Sequence, residues 1–234
     1  MNSLMDLLMI QKYQITALND PHAPPITICS GRSAGYVEAM LANLGFPPVG
    51  KYAVVENGAC IMDFRANIEK TNPAIGINTS VIMDGLLQKI IPPFMAEIGG
   101  KIEPGKKYCI SLDPPSGMEI RELYKLTKEK LSQFENFIEL TYSGSAVDIT
   151  PKGVNKGSGF EFLARESGSY PENILYIGDS VGDIPALNLA GFAACPNNAT
   201  LECRMAVRDK NGYLSGFDDT RGVIDILKHF ENYF

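Results

Sequence analysis

The stretch Ile174-Leu175-Tyr176-Ile177-Gly178-Asp179-Ser180-Val181-Gly182-Asp183 runs from an apolar strand into a glycine, and an aspartate follows at once. A second aspartate stands four residues after the first, where a helix can begin. In a parallel α/β sheet, ligands bind outside the carboxyl ends of the strands. Two carboxylates at such a tip can hold a hard cation such as magnesium through oxygen ligands. The cation can in turn neutralise phosphate oxygens. The pattern therefore points to magnesium-assisted phosphate chemistry. The plainer reading is a Gly-Asp turn whose aspartate caps a helix, a position Asp favours.

Working outward, strand and helix patterns alternate after Lys152: a helix near 155–167, the strand at 174–177, a helix to Leu189, a strand at 192–195, and helices at 199–207 and 219–234. Before the middle of the chain, residues 3–18 carry helical spacing and lead into a turn at Asn19-Asp20-Pro21. Residues 26–29 read as a strand, 33–44 as a helix stopped by Gly45, and 52–55 as a strand. Glu56-Asn57-Gly58 is a turn, after which 60–62 pairs back. Such alternation implies a parallel sheet with helices on both faces.

The character changes near Phe64. Residues 79–98 form a long amphipathic helical pattern ended by Gly99-Gly100, and 107–112 read as a strand. Ser116-Gly117-Met118-Glu119 has a capping-box pattern before a charged helix to about 133. Strands at 137–141 and 146–149 flank Ser143-Gly144-Ser145. This block reads as an α+β insertion. The expected division is core 1–64, insert 65–149, core 150–234.

Composition narrows the function. A 234-residue chain with 45% hydrophobic residues and a net charge of −6 fits a soluble α/β protein, and the acidic balance argues against a nucleic-acid partner. No apolar run approaches the roughly 20 residues of a membrane span, and the apolar start lacks the features of a signal peptide. Cys29, Cys60, Cys109, Cys195 and Cys203 lie singly without a CxxC pair, as expected of reduced thiols in a cytoplasm. Only His22 and His229 are present, so a zinc site or a Ser-His-Asp triad is poorly supplied. His229 is expected at the surface of the last helix.

Two further constellations matter. Ile28-Cys29-Ser30-Gly31-Arg32 places a hydroxyl and a bare glycine amide where a helix starts. A phosphate suits that arrangement, because N–H donors point at it from a positive helix end; alternatively Ser30 only caps the helix. In Asp148-Ile149-Thr150-Pro151-Lys152-Gly153-Val154-Asn155-Lys156-Gly157, a lysine opens a helix. A cation there opposes the helix dipole and calls for an anion; otherwise Lys152 and Lys156 are solvated charges.

Taken in order, ICSGR at 28–32, ENGA at 56–59, DITPKGVNKG at 148–157, GDSVGD at 178–183 and NA at 198–199 resemble the haloacid dehalogenase (HAD) superfamily of phosphatases. The resemblance is to its Cof-like branch (subfamily IIB), in which an α+β cap is inserted into a Rossmannoid core. That branch includes phosphoglycolate, sucrose-phosphate and mannosyl-3-phosphoglycerate phosphatases. The resemblance implies that Ser30 and the Gly31 amide bind the phosphoryl group and that Lys156 neutralises it. Asp179 and Asp183 would hold magnesium, with Asn57 and Asn198 as neighbouring contacts. It implies a small phosphorylated metabolite as substrate, a sugar phosphate or phosphoglycolate, and a monomer or homodimer without nucleic-acid or membrane partners. Gly182 stands where the family often has Asn.

One family element is missing. The first motif, DxDG[TV], ends a strand; its first aspartate attacks phosphorus and its second relays a proton. Only Asp6 and Asp20 precede Ser30, and neither lies in that pattern. Asp6 falls in a helical pattern and Asp20 in a turn. The motif is therefore expected on a strand upstream of Met1, or else the protein is a nucleophile-less binder of a phosphorylated ligand or protein partner. A receiver-type phosphoacceptor also uses aspartates at strand tips, but the insertion argues against it. Without the strand, a gap is expected between residues 26–29 and 174–177. Roughly ten unpaired backbone groups at about 1–3 kcal/mol each would weigh heavily against the 5–15 kcal/mol or so that holds a domain.

Overall fold

The computed structural model describes residues 3–20, 23–231 and 233; Pro21, on which the expected turn depends, lies outside them. The first part of the chain comprises helices α1 (Ser3–Asn19) and α2 (Ala34–Leu44), then strands β1 (Ala53–Val55), β2 (Cys60–Asp63) and β3 (Ile68–Thr71). The middle part holds α3 (Ile77–Gly85), α4 (Ile91–Ile98), β4 (Lys101–Ile102), β5 (Ile110–Asp113), α5 (Ile120–Lys130), β6 (Ile138–Tyr142) and β7 (Val147–Pro151). The last part alternates as expected: α6 (Lys156–Glu166), β8 (Leu175–Ile177), α7 (Ile184–Leu189), β9 (Phe192–Cys195), α8 (Leu201–Asp209), β10 (Tyr213–Leu214) and α9 (Asp219–Phe230).

Strands β8, β9 and β10 pair in parallel, in the order β10-β9-β8. Side chains alternate across a strand, and here both faces are covered. Tyr176, Ala193 and Cys195 pack with Phe160 of α6, Leu187 of α7 and Val207 of α8. Leu175, Ile177 and Ala194 pack with Ile226 and Phe230 of α9. Burial on both sides is why these strands read as continuous apolar runs.

The middle sheet, β4-β5-β7-β6, is antiparallel throughout. One face carries Ile110, Leu112, Val147 and Ile149 against Met83, Leu86, Ile91, Phe94, Met95 and Leu123 of the helices. Each fully buried side chain of this size contributes about 1.5–3 kcal/mol, so the unit has a core of its own. The intervening Ser111 and Asp148 turn the polar side of the sheet the other way. The long helix expected over 79–98 is present but changes pitch through a π turn, Leu86–Ile90. Pro92 and Pro93 follow directly and offer no N–H to the preceding turn.

The structure corrects several boundaries. Strand β3 pairs along all of β2, so the first sheet continues past residue 64 to Thr71. Strand β7 runs through Pro151 in the middle sheet, across the expected division at 149/150. The capping box at Ser116 is absent: Gly117 takes a φ of +89° within a turn closed by Met118 N–H to Pro115 O, and the helix starts later with Glu119 as N-cap. The strand expected at 26–29 is reduced to a parallel bridge between Cys29 and Val54.

The reason for that reduction is the expected gap. Val54 N–H donates to Ile28 O (2.8 Å) and Ser30 N–H donates to Val54 O (2.9 Å), so Thr27 and Cys29 turn their backbone groups away from β1. On β8, Phe192 N–H donates to Ile174 O (3.2 Å) and Gly178 N–H to Ala194 O (3.1 Å), so Leu175 and Ile177 face away from β9. The two open edges border an apolar groove of about 560 Å³, lined among others by Ile26, Cys29, Tyr176, Ile177, Leu227 and Phe230.

Two glycines should respond in opposite directions. Gly159 of α6 lies so close to the hairpin turn that a Cβ would stand 2.4 Å from Gly58 Cα. Gly35 of α2 has nothing within 4 Å of a Cβ. Gly35→Ala should stabilise the protein by about 0.4–1 kcal/mol. Gly159→Ala should destabilise it by about 1–3 kcal/mol through overpacking. Urea denaturation of the two variants checks both signs.

Candidate active site

Helix α6 begins with a reciprocal cap. The Asn155 side-chain oxygen accepts the N–H groups of Gly157 (2.9 Å) and Ser158 (3.1 Å), and Ser158 Oγ accepts Asn155 N–H (3.1 Å). This cap fixes the first turn and with it the direction of Lys156. The glycines at 157 and 159 let that turn sit between Pro185 and the Gly58 turn; a Cβ on Gly157 would meet Pro185 at 2.7 Å. Lys156 Nζ thereby reaches Asp183 Oδ1 at 2.6 Å, an ion pair whose two side chains are only 16% and 4% exposed.

The β8–α7 turn is built around the same carboxylate. Asp183 Oδ2 accepts Ser180 Oγ (2.7 Å) and the N–H groups of Ser180 (3.1 Å) and Asp179 (3.3 Å). Tyr176 Oη donates to Oδ1 at 2.9 Å. Burial works to raise the Asp183 pKa, but the charge of Lys156 and the bonds from Lys156, Ser180 and Tyr176 outweigh it and hold it below the usual range. Burial likewise works to lower the Lys156 pKa, and attraction to Asp183 leaves it raised. Asp179 is open to solvent on one side; burial of the remainder and the charge of Asp183 raise its pKa. Thr200 N–H holds the Asp179 carbonyl at 2.9 Å.

The Ser30–Arg32 loop approaches from the other half of the molecule. Ser30 Oγ accepts Arg32 N–H at 3.2 Å, while the N-cap of α2 is Ser33, so Ser30 does not cap that helix. Its neighbour Cys29 packs against the Tyr176 cluster. Burial pushes the Cys29 thiol up to about 11, partly offset by the nearby charge of Lys156. Asn57 sits in the left-handed region (φ +56°), its N–H on Ser30 O at 3.1 Å. Its side-chain oxygen lies where a Cβ on Gly31 would come within 2.5 Å, so Gly31 is needed for this approach.

The structure thus brings Lys156, Asp179 and Asp183 together and places Cys29, the residue before Ser30, beside them. The Asn198 side-chain amide donates to Asp219 Oδ1 (2.6 Å) and accepts Asp219 N–H (3.0 Å), tying its loop to α9. Lys152 is exposed at the edge of the middle sheet, as the solvated reading has it. Asp6 is on α1, and Asp20 follows the end of that helix. Tyr176 and Ser180, which complete the coordination of Asp183, were not singled out from sequence. A Tyr in a buried strand next to a carboxylate turn was the available signal.

Asp179 and Asp183 offer oxygen donors only: Asp179 is the one open to solvent, its pKa raised first by partial burial and then by the charge of Asp183, while Asp183 already accepts bonds from Lys156, Tyr176 and Ser180. That donor chemistry fits magnesium, which takes one or two carboxylates and completes its shell with water and phosphate oxygens. Among the described residues, no group of three or more His, Cys, Asp or Glu converges as a fuller cage.

On the smaller unit, residues 103–106 lie against the same loop. Arg32 Nη1 reaches Glu103 Oε1 at 3.1 Å, and Glu103 Oε2 meets Lys106 Nζ at 3.0 Å. Lys106 is further bonded to Ser111 and stands 3.7 Å from Asp148.

The parallel β8–β10 core, the antiparallel insert and the lysine–carboxylate cluster at the tip of β8 define a Rossmann-like α/β fold carrying an inserted α+β unit. The sequence profile of haloacid dehalogenase-like hydrolases matches residues 110–226. The chain is 30% identical over 182 residues to the phosphoglycolate phosphatase of Methanobrevibacter smithii, covering 75% of this chain and 72% of that protein. It is 31% identical over 103 residues to the phosphoglycolate phosphatase of Methanothermobacter thermautotrophicus, a match spanning 44% of each chain, less than half the relative's length. The fold superposes on the sucrose-phosphatase of Synechocystis sp. PCC6803 with a TM-score of 0.69 at 19% identity, covering 99% of this chain and 93% of that one. The chain belongs to the haloacid dehalogenase-like hydrolase family, in its Cof-like branch.

Lys156→Met should destabilise the fold by about 3–5 kcal/mol, because it strands a buried carboxylate; chemical denaturation measures it.

A pH effect is expected at the Arg32–Glu103–Lys106 linkage. Burial of Glu103 works to raise its pKa, but Lys106 and then Arg32 outweigh it, so the folded value lies below the unfolded one. The linkage then contributes fully above pH of about 4.3 and is lost as pH falls through the lowered folded value. The stability gap between wild type and Glu103→Gln, measured by denaturation across pH 7 to 3, should close at the acid end.

Proposed function

We propose that this chain is the body of a magnesium-dependent phosphomonoester hydrolase acting on a small phosphorylated metabolite, a sugar phosphate or phosphoglycolate. The observation that carries the reading is the Lys156–Asp183–Asp179 cluster at the tip of β8, with Cys29, the residue before Ser30, packed beside it. The phosphoglycolate phosphatases of the two archaeal relatives and the sucrose-phosphatase fold support the substrate class. When bound at Asp179 and Asp183, magnesium would neutralise phosphate oxygens. Lys156 lies close enough to share its charge with a phosphoryl group, and the Ser30 hydroxyl and the Gly31 N–H supply donors. The smaller unit acts as a cap that limits water at the site and shapes the space for the rest of the substrate.

The attacking group is the remaining piece. Asp179 and Asp183 are committed to the cation side and to Lys156. Ser30 has no base beside it among the described residues, and His229 is stacked on Tyr213 at 3.9 Å. The groove between Cys29 and β8 has two open strand edges facing each other. A strand seated there, supplied from outside these 234 residues, would place a carboxylate at its carboxyl end beside Lys156. That carboxylate would attack phosphorus and release the alcohol, and water would then cleave the aspartyl-phosphate. The second reading, a phosphate-binding protein without turnover, draws on the same lack of a nucleophile.

The test is turnover of p-nitrophenyl phosphate with magnesium, by the 234-residue chain and by a form carrying an added N-terminal strand with DxDG. The chain alone should be inactive, and the extended form active and more stable. Asp179→Asn in the extended form should abolish magnesium-dependent turnover with the fold intact. Turnover by the 234-residue chain would overturn the nucleophile assignment. An extended form that stays inactive would favour the binder.

A further inference from the structure

Glu56 is a carboxylate with 2% exposure and, among the described residues, no cation bonded to it. Its oxygens accept three consecutive backbone N–H groups of the smaller unit: Lys107 at 2.9 and 3.0 Å, Tyr108 at 2.7 Å and Cys109 at 3.0 Å. Cys109 Sγ also donates to Glu56 O at 3.1 Å. The backbone of the same turn grips the other side. Glu56 N–H donates to Arg32 O (2.9 Å) and Asn57 N–H to Ser30 O (3.1 Å). Both Glu56 and Asn57 hold left-handed backbone, with φ of +49° and +56°. Non-glycine residues adopt it at a cost and keep it only where the surroundings over-determine it. One strained turn therefore joins the phosphate loop to the smaller unit.

The ion pairs between the two parts differ in kind. Arg32 in the Arg32–Glu103 pair is 51% exposed, and Lys107 in the Lys107–Glu69 pair is 65% exposed. Exposed pairs of this sort hold weakly. A buried carboxylate with three N–H donors holds strongly, because any break leaves a charge without water or partner.

We infer that Glu56 is the pivot of the cap, a positioning residue about which the smaller unit turns and through which it senses the Ser30–Arg32 loop. Opening would break Arg32–Glu103 and leave residues 107–109 seated on Glu56. The inference rests on the reading of the smaller unit as a cap over a phosphate site.

Amide hydrogen exchange on the full chain, with and without inorganic phosphate plus magnesium, tests it. In the wild type, amides of 107–109 should be protected, and phosphate should slow exchange at both 30–32 and 107–109. In Glu56→Gln, exchange at 107–109 should rise at least tenfold. Phosphate should then still protect 30–32 but no longer 107–109. Amides of β5 and β7 in the smaller unit should keep their protection, which a general loss of structure would not allow. Glu103→Gln should leave 107–109 protected and still responsive to phosphate. The inference is overturned if 107–109 stay protected in folded Glu56→Gln, or if Glu103→Gln releases them as fully. Should phosphate fail to protect 30–32 in the wild type, the phosphate-site reading falls. The pivot is then decided by the ligand-free comparison of the two variants.

Discussion

The Lys156–Asp183 ion pair is the constraint around which the larger half of the molecule is arranged. Removing both charges from water is expensive, and their attraction repays the cost only when the remaining lone pairs are satisfied. Tyr176 and Ser180 satisfy them, one from within β8 and one from the turn that follows it. The pair also demands that α6 start within reach of the β8–α7 turn. That closeness explains the two glycines of α6 and the Asn155 cap, since a side chain at either glycine would force the helix away. Sequence, capping, packing and electrostatics meet in one contact of 2.6 Å.

The two units are joined by unequal bonds. The smaller sheet places its apolar side chains under helices and keeps Ser111 and Asp148 on the opposite face, with buried Lys106 between them. Its charges are balanced locally: Lys106 faces Glu103 and Asp148, and Arg32 faces Glu103. Exposed, salt-screened pairs lie at the rim, and the buried Glu56 carboxylate lies behind them. Of the contacts described between the units, the Glu56 contact is thus the buried one and the ion pairs are the exposed ones.

Much of this was legible in the residues. The alternation after Lys152 anticipated α6, β8, α7, β9 and α8, because strands buried on both faces read as apolar runs and helices show their period. The GDSVGD turn and the lysine of KG were picked out, and they do meet. Short strands escaped: β3, β4 and β10 are two to four residues long, and their pairing is decided by distant partners. β3 lies within the stretch expected as insert, yet it pairs with β2 of the first sheet. Asn198, expected as a secondary contact near the site, bonds Asp219, a partner that no local pattern announces.

By itself, the sequence determined the class of fold and the order of the Ser-Gly-Arg, lysine and aspartate motifs. These are local facts of periodicity, turn chemistry and residue type. Only the tertiary structure decided that Asp183 spends both oxygens on Lys156, Tyr176 and Ser180, leaving Asp179 as the carboxylate open to solvent. Only it showed Glu56, an ordinary turn residue in the sequence, gripping three amides more than fifty positions away. A carboxylate's role depends on which donors the fold carries to it, and those donors come from segments that share no sequence neighbourhood with it.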